Sequence, residues 1–214
     1  AGNGSLGMGW SLSVGSSISR CPSTVAQDEF SKGVTFDDSD RLCLDGQRLM
    51  VVEGQYWASG SVYRTEIDSF SRIQLNGASA AVSGCNSTFT VKSKDNMTRQ
   101  YGGGAAAVSP DNVNGATTCA VASSWLLTSE KDPVGNDIQY VYTDFGAGEH
   151  LLDQIMYTGM NGSAGNRSVR FTYDDRDNSG QDDVSVSFLN GYVSRQTKRL
   201  DRIDTYVGSE HVRR

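Results

Sequence analysis

The 214-residue sequence has few of the residue types on which most enzyme sites depend. It contains two histidines, His150 and His211, and it lacks Cys-x-x-Cys, His-Glu-x-x-His and Gly-x-Ser-x-Gly motifs. These absences exclude the common zinc signatures and the nucleophile elbow of serine hydrolases. His150 follows Glu149 in a glycine-rich stretch, so we interpret it as a solvent-exposed turn residue, not as a metal ligand or general base. We therefore predict no catalytic residue and no enzymatic activity.

Long apolar runs and helical patterns are also missing. No run approaches the roughly 18 consecutive apolar residues of a membrane-spanning helix. No window shows apolar residues at the i, i+3, i+4, i+7 spacing, so helices should be few and short. The net charge of −6 argues against a nucleic-acid or anionic-membrane surface. The start and end of the chain, without cap or signal peptide, suggest a part of a longer exported polypeptide.

The chain is instead rich in glycine, with 24 residues, and in serine, asparagine and aspartate. Residues 42–44 lead through Asp45-Gly46, the dipeptide of a type I′ hairpin turn, into residues 48–52. Other short runs alternate apolar and polar residues or are β-rich: 63–67, 88–92, 125–127, 138–142, 151–157, 169–174, 184–188 and 199–204. The pattern predicts an all-β fold of antiparallel strands and hairpins with few or no helices.

A literal Gly-x-Gly-x-x-G motif spans residues 2–7. A dinucleotide site needs a strand before this motif and a helix after it. Only Ala1 precedes it, and Trp10, Leu12 and Val14 follow with the period of a strand. We interpret the glycines as the lead into a strand, and we predict no cofactor.

The four cysteines, Cys21, Cys43, Cys85 and Cys119, lack metal-site spacing. Their even number in a chain of this composition suggests disulfides and an oxidising compartment, with buried free thiols as the alternative. Three pairings exist for four cysteines. We favour Cys21–Cys43 and Cys85–Cys119, because each closes a loop local to one group of strands.

One acidic segment has the spacing of a calcium loop. Asp175, Asp177, Ser179 and Asp183 occupy loop positions 1, 3, 5 and 9, with Gly180 at position 6. Position 12 is Val186 where a calcium loop has glutamate, and no helix is expected on either side. An acidic hairpin tip is therefore the alternative to a weak calcium site.

Two further features allow more than one interpretation. Trp10, Trp57 and Trp125 would either form a sugar-binding platform or pack in the core, and the core is the preferred interpretation. Residues 102–118 are predicted to be an irregular loop.

The C-terminal stretch is basic, and we expect its charges to protect a strand edge from other chains, with a phosphate-binding stripe as the alternative. The basic residues are Arg195, Lys198, Arg199, Arg202, Arg213 and Arg214.

Several segments resemble the SpvB-type N-terminal domain, which occurs in the B component of insecticidal toxin complexes and in bacterial Rhs/YD-repeat proteins. The resemblance is carried by residues 2–13, 18–20, 37–40, 44–47, 63–70 and 167–173, and Gly135 with Tyr140-x-Tyr142 is similar to the YD-repeat signature. It is poorest over residues 78–120, and the Rhs core with its self-cleaving aspartates is absent.

The resemblance implies a structural role. Residues 1–124 would form an SpvB-like β region with a disulfide-pinned loop at about 78–120, and residues 125–214 a YD-repeat-like sheet. In that family the strands build a hollow β-shell around a separate toxin or effector domain. The partners implied are the remaining shell and its enclosed domain, and the location is secreted or on the bacterial cell surface. An extracellular module that binds carbohydrate or a host surface through residues 102–118 and the tryptophans is the alternative function.

Overall fold

The structure, a computed structural model, describes residues 3–8, 12, 14–77, 84–112, 121–176 and 183–214. Nearly all of its regular structure is β-strand, which confirms the all-β prediction. The described residues contain one short α-helix, α1 (Val25–Asp28), and one 3-10 turn, Gly104–Ala106. The strands are β1 (Asn3–Gly4), β2 (Gly7–Met8), β3 (Ser17–Cys21), β4 (Arg41–Leu44), β5 (Gln47–Glu53), β6 (Val62–Thr65), β7 (Arg72–Asn76), β8 (Thr88–Lys92), β9 (Thr98–Gly102), β10 (Ala107–Val108), β11 (Asp111–Asn112), β12 (Ser124–Lys131), β13 (Asn136–Asp144), β14 (His150–Met160), β15 (Arg167–Asp175), β16 (Ser185–Leu189), β17 (Tyr192–Gln196), β18 (Lys198–Val207) and β19 (Glu210–Arg213).

The strands β3 to β9 and β12 form a closed antiparallel ring, which we call the ring. Within β3 to β9, consecutive strands pair with each other, and β12 closes the ring by pairing with both β3 and β9. The turn between β4 and β5 is the predicted one. Asp45 and Gly46 have φ values of 48° and 82°, so both have the left-handed backbone that a type I′ turn requires.

The interior of the ring is filled by side chains. The alternating burial of β7 and β8 directs Ile73, Leu75, Phe89 and Val91 inward. The buried cluster consists of Ile18, Leu42, Leu49, Trp57, Tyr63, Ile73, Leu75, Phe89, Val91, Tyr101, Ala107, Ala122, Trp125 and Leu127. The side chains of the described strands therefore fill the ring as a packed core.

A second sheet continues outward from β12. Ser129, Glu130 and Lys131 pair with β13, after which β14, β15, β18 and β19 follow in order. We call β13, β14, β15, β18 and β19 the open sheet. The predicted boundary between residues 124 and 125 falls at the first residues of β12, a strand that belongs to both the ring and the open sheet.

A three-stranded sheet of β11, β17 and β16, which we call the strap, lies beside these two parts. The prediction of an irregular loop at residues 102–118 is wrong for the described part. Residues 104–106 form the 3-10 turn, β10 pairs with β12, and β11 pairs with β17, so tertiary pairing orders the segment. Residues 113–118 lie outside the described residues.

The predicted N-terminal strand is also corrected. The glycine motif forms a hairpin in which β1 pairs with β2. Leu12 and Val14 lie in no strand, and Trp10 is outside the described residues. The structure has no described helix with the length and apolar character needed to cross a membrane.

Candidate functional site

The candidate site is the junction at which β12 passes from the ring into the open sheet. Tyr140 and Tyr142 of β13 point to the same face because side chains alternate along a strand. The Tyr142 hydroxyl donates a hydrogen bond to the Leu127 carbonyl at 2.9 Å. The Tyr140 hydroxyl donates to Glu130 Oε1 at 2.8 Å. The Tyr-x-Tyr pattern thus ties the first strand of the open sheet back to β12.

The charges at this junction reinforce the same link. Glu130 also accepts a hydrogen bond from Arg99 Nε of β9 at 2.7 Å, so one carboxylate connects β9, β12 and β13. Burial and then the bond to Glu130 raise the pKa of Tyr140 far above its usual value, and burial raises the pKa of Tyr142 to about 12. Burial alone would lower the pKa of Arg99, but its hydrogen bond to Glu130 raises it. The tyrosines stay neutral and the arginine stays charged throughout the physiological range.

The strap holds the ring and the open sheet together from outside. At the ring, the Phe36 and Tyr192 rings pack edge to face with centroids 4.6 Å apart. Beside them, Asn190 Nδ2 donates to the Thr35 carbonyl at 2.8 Å. These contacts join the β16–β17 turn region to the loop that precedes β4.

At its other end, the strap is held by a buried carboxylate. Glu149 is 5% exposed and accepts hydrogen bonds of 2.6 to 2.9 Å from the Thr197 amide, the Thr197 hydroxyl and the Lys198 amide. Thr197 is the single residue between β17 and β18, so Glu149 fixes the point at which the strap meets the open sheet. Burial of a carboxylate is costly without hydrogen-bond donors, so the bonds from Thr197 and Lys198 allow Glu149 to stabilise the folded state from a buried position.

His150 differs from its sequence interpretation. It is the first residue of β14, and its side chain is 2% exposed instead of solvated. Nδ1 lies 2.7 Å from the Ala105 carbonyl, and Nε2 accepts a hydrogen bond from the Ser109 amide at 3.3 Å. Nδ1 carries the proton that it donates to the Ala105 carbonyl, an assignment that follows from the hydrogen-bond partner, and Nε2 also lies 3.4 Å from Asp144 Oδ1. The imidazole orders the segment that was expected to be irregular.

Two of the four predicted calcium ligands are described, and both form ion pairs. Asp175 pairs with Lys198, and Asp183 pairs with Arg176 at 3.1 Å. Asp177 and Ser179 lie outside the described residues. Within the described ranges, no group of three or more histidine, cysteine or acidic residues is placed to hold a metal ion. The calcium site stays a prediction.

Arg176 forms long-range contacts that the sequence did not predict. Its side chain is fully buried, and Nε donates to the Lys198 carbonyl at 2.9 Å. Nη2 donates to the Gly4 carbonyl, so the guanidinium links the end of β15 and the start of β18 to the N-terminal hairpin. Neither this arginine nor Glu149 carries a local sequence signal, because their partners are distant in the chain.

Cys21 and Cys43 form a disulfide with a Cα–Cα distance of 5.9 Å, which is one of the two pairs favoured from the sequence. They are diagonal neighbours on adjacent strands, since Cys21 pairs with Arg41 and Cys43 with Ser19. Cys85 is also disulfide-bonded. Cys119, its predicted partner, lies outside the described residues, so that pairing stays a prediction.

Replacing both Cys21 and Cys43 by serine should lower the free energy of unfolding. The disulfide closes a loop with a sequence separation of 22 residues. A loop of this size stabilises the folded state by about 3 kcal/mol through the entropy of the unfolded chain. Urea unfolding of the double variant should show this loss, with the second disulfide intact. A loss under about 1 kcal/mol would contradict the loop-entropy argument.

The tryptophans described by the structure do not form a sugar-binding platform. Trp57 is 3% exposed and Trp125 is 0% exposed, and their ring centroids lie 6.4 Å apart in the core. Their faces are covered by other side chains, which agrees with the preferred interpretation of core packing. Trp10 lies outside the described residues.

The outermost strand of the open sheet, β19, pairs only with β18 among the described strands. The contact between them includes Asp204, a carboxylate whose side chain is 8% exposed. His211 Nε2 and Arg202 Nε lie 3.0 Å and 2.9 Å from its two oxygens. Of the basic residues singled out in the sequence, Arg202 contacts Asp204 and Arg213 lies in β19 itself. Protection of the strand edge by these charges stays a prediction.

The contact between β18 and β19 at Asp204 should become less stable at acid pH. Burial opposes ionisation of Asp204, but the hydrogen bonds from His211 and Arg202 outweigh it and lower the pKa of the carboxyl. The stability contributed by ionised Asp204 is thus fully present above its unfolded pKa of about 3.9, and it is lost as the pH falls through the lower folded value.

Urea unfolding between about pH 5 and 2 checks this prediction. The Asp204→Asn variant should lose less stability across that interval than the unchanged chain. Asp201→Asn, an exposed carboxylate three positions away, is the matched control and should behave as the unchanged chain does. Parallel curves for Asp204→Asn and the unchanged chain would show that the Asp204 contact is not formed.

Comparison with known proteins identifies the chain. The model of the family described as the Salmonella virulence plasmid 65 kDa B protein, SpvB, matches residues 1–155. No curated protein matches the sequence. Among solved structures, a TcdB2-TccC3-Cdc42 complex matches with a TM-score of 0.70 and 20% identity over 97% of this chain, and the match spans 12% of that chain.

Two further structures share the fold. The Tc holotoxin pore of Photorhabdus luminescens matches with a TM-score of 0.70 and 18% identity, over 97% of this chain and 12% of that one. The N-terminal domain of the effector SpvB from Salmonella typhimurium strain LT2 matches with a TM-score of 0.67 and 18% identity, over 95% of this chain and 78% of that one. Because the family model covers well over half of the sequence, the chain belongs to the SpvB family.

Proposed function

We propose that this chain is a non-enzymatic structural module that forms part of the wall of an Rhs/YD-type shell around a toxin or effector domain. One observation carries the proposal: a strand of a filled ring, β12, also begins an open sheet. The ring provides a rigid base, and the sheet presents β19 as a strand to which a following strand can add. The partners are the rest of the shell and the enclosed domain.

The junction contacts support this role. Tyr140, Tyr142 and Glu130 fix the direction in which the open sheet leaves the ring, and Glu149 fixes the strap across both. The carboxylates and hydroxyls at these contacts are hydrogen-bonded within the protein, which suits a rigid structural wall better than a reaction centre. The match to 12% of a TcdB2-TccC3 chain agrees with a module in a much larger assembly. The disulfide Cys21–Cys43 fits a secreted or cell-surface location.

A chimera tests the proposal. This chain replaces the structurally matching part of the TcdB2-TccC3 protein, for which a hypervariable C-terminal region is described. We expect assembly of the complex and protection of that region from added protease. A matched chimera with Trp125→Ala should lose both. A chimera that is folded by circular dichroism but leaves the region unprotected would contradict the proposal.

No observation on the described residues favours the alternative of a binding module that uses the tryptophans and residues 102–118. Trp57 and Trp125 are buried, and residues 104–108 pack against β12 and His150 instead of forming an open loop.

A further inference from the structure

A groove of about 430 Å³ opens onto the Cys21–Cys43 disulfide. One wall is the segment that leads into α1, with Pro22 and Thr24, and the other is the start of β5 with the turn after β6. We call this space the disulfide groove. Both cysteines line it, and Cys21 is partly exposed whereas Cys43 is only 8% exposed. A bond that joins two strands of the ring is therefore accessible to a small reagent from solvent.

Arg48 is the cross-strand neighbour of Cys43. The two residues pair between β4 and β5, so their side chains lie on the same side of the sheet with Cβ atoms about 5 Å apart. Arg48 Nη1 donates to the carbonyl of Pro22, the residue after Cys21, at 3.1 Å. Arg48 therefore lies next to the disulfide on the wall of the disulfide groove.

The hydrogen bonding of Arg48 is incomplete while the disulfide is intact. Its side chain is 9% exposed, and Nη2 is paired with Asp28. Nε is buried and has no hydrogen-bond partner among the described residues. An unpaired buried donor costs free energy, so this one requires an explanation. Reduction of the disulfide creates a thiolate at Cys43, and that thiolate can serve as the missing acceptor.

The other charged groups of this region do not offer the same support to Cys21. Arg41 faces Cys21 between β3 and β4, but its Nε donates to Asp28 at 2.7 Å and its Nη1 donates to three loop carbonyls. Glu66 also lines the disulfide groove, but it is exposed, so solvent screens its charge. The unused donor thus favours negative charge on the sulfur of Cys43.

We propose that Cys21–Cys43 is a redox-active disulfide that exchanges with dithiol reductants, with Cys43 as the leaving sulfur. A thiolate of the dithiol attacks Sγ of Cys21, the S–S bond breaks, and its electron pair goes to Cys43 Sγ beside Arg48. The second thiol then displaces Cys21 from the mixed disulfide. Two electrons pass to the protein, the dithiol becomes a disulfide, and its two thiol protons pass to the cysteines or to the solvent. Because a stabilised thiolate leaves faster, Arg48 speeds the exchange.

Exchange at this bond changes the stability of the ring. After reduction β3 and β4 keep their backbone pairing but lose their covalent link, so the ring unfolds more easily. An oxidising compartment therefore strengthens the ring and a compartment rich in dithiols weakens it. This role goes beyond the wall function, and because the chimera experiment uses no reductant, either proposal can fail without the other.

Timed reduction of the 214-residue chain with dithiothreitol at about pH 7 tests the proposal. Samples are quenched with iodoacetamide, and mass spectrometry locates the labelled cysteines. Arg48→Gln should slow the reduction of Cys21–Cys43 at least about fivefold and leave the rate at the disulfide of Cys85 unchanged. Arg48→Lys keeps a cation beside Cys43 and should restore most of the rate. Arg72→Gln removes a partly exposed charge outside the groove and should change neither rate.

Loss of stability does not produce the same result, because a destabilised chain opens more often and is reduced faster. A second measurement needs no variant. In the reduced, unchanged chain, iodoacetamide at about pH 7 should alkylate Cys43 at least about fivefold faster than Cys21, although Cys21 is the more exposed. Three outcomes overturn the proposal: equal or faster reduction in Arg48→Gln, equal slowing by Arg72→Gln, or alkylation of Cys21 at least as fast as that of Cys43.

Discussion

Replacing Trp125 by alanine should lower the free energy of unfolding by about 3–5 kcal/mol, as for other fully buried aromatic residues. The indole is 0% exposed and packs edge to face on Phe89 with centroids 5.1 Å apart. Its Nε1 donates to the Gly84 carbonyl at 2.9 Å. The backbone is shaped around it, since a Cβ on Gly102 would lie 2.5 Å from Trp125 Cδ1. The surrounding strands cannot collapse into the space that alanine would leave.

Two matched variants separate the contribution of core packing from that of the hydrogen bond and of surface exposure. Trp125→Phe keeps most of the apolar contact and loses the hydrogen bond, so it should cost less than the alanine variant and leave the Gly84 carbonyl without its donor. Phe188→Ala removes an aromatic ring that is 70% exposed and should change stability by no more than about 0.5 kcal/mol. Urea unfolding followed by circular dichroism measures all three. An alanine variant within about 1 kcal/mol of the unchanged chain would show that the core is not closed around this side chain.

Because Trp125 lies in β12, its loss should also affect the open sheet. The ring and the open sheet share that strand, and Tyr142 is hydrogen-bonded to Leu127 two residues further on. We therefore expect both parts to unfold in a single transition in the unchanged chain. Two separate transitions would contradict this coupling of the ring and the open sheet through β12.

The sequence predicts the strands of this protein better than their partners. The alternation in residues 63–67, 88–92, 138–142 and 169–174 reflects burial on one face, and β-strands are found at each of these places. Asp45-Gly46 encodes its turn locally, because few residue pairs accept two left-handed conformations. Closure of the ring depends instead on Ile18 facing Trp125, two residues that are far apart in the chain. An alternating pattern predicts which face of a strand is buried, but it does not predict the strand with which it pairs.

The same limitation explains the errors at His150 and in residues 102–112. Both were interpreted from local composition, which is rich in glycine and alanine. The order there comes from the contacts of His150 with Ala105 and Ser109, and from the pairing of β10 with β12. Leu12 and Val14 show the reverse case, since they belong to an alternating pattern but neither residue lies in a strand.

Replacing Asp40 by asparagine should destabilise the protein nearly as much as the Trp125 variant, by about 3–5 kcal/mol, because it leaves a buried charge without its partner. Arg20 Nη1 lies 3.0 Å from Asp40 Oδ2, and the two side chains are 1% and 0% exposed. The guanidinium sits 4.8 Å from the Trp57 ring centroid, and burial lowers the pKa of Arg20 despite the neighbouring carboxylate. The Phe36 amide also donates to Asp40, so the carboxylate orders the loop before β4.

A double variant shows whether the destabilisation by Asp40→Asn comes mainly from the buried charge of Arg20 or from lost order in the loop before β4. Arg20→Met combined with Asp40→Asn removes the buried charge and keeps an oxygen acceptor at position 40. If loss of the carboxylate that neutralises Arg20 is the main cause, the double variant should be more stable than Asp40→Asn alone, since an apolar replacement of a buried ion pair is often well tolerated. Asp38→Asn, an exposed carboxylate in the same loop, is the matched control and should stay within about 0.5 kcal/mol of the unchanged chain. A double variant less stable than Asp40→Asn would instead assign the loss to the bonds that Arg20 makes with the Ala122 and Asp37 carbonyls.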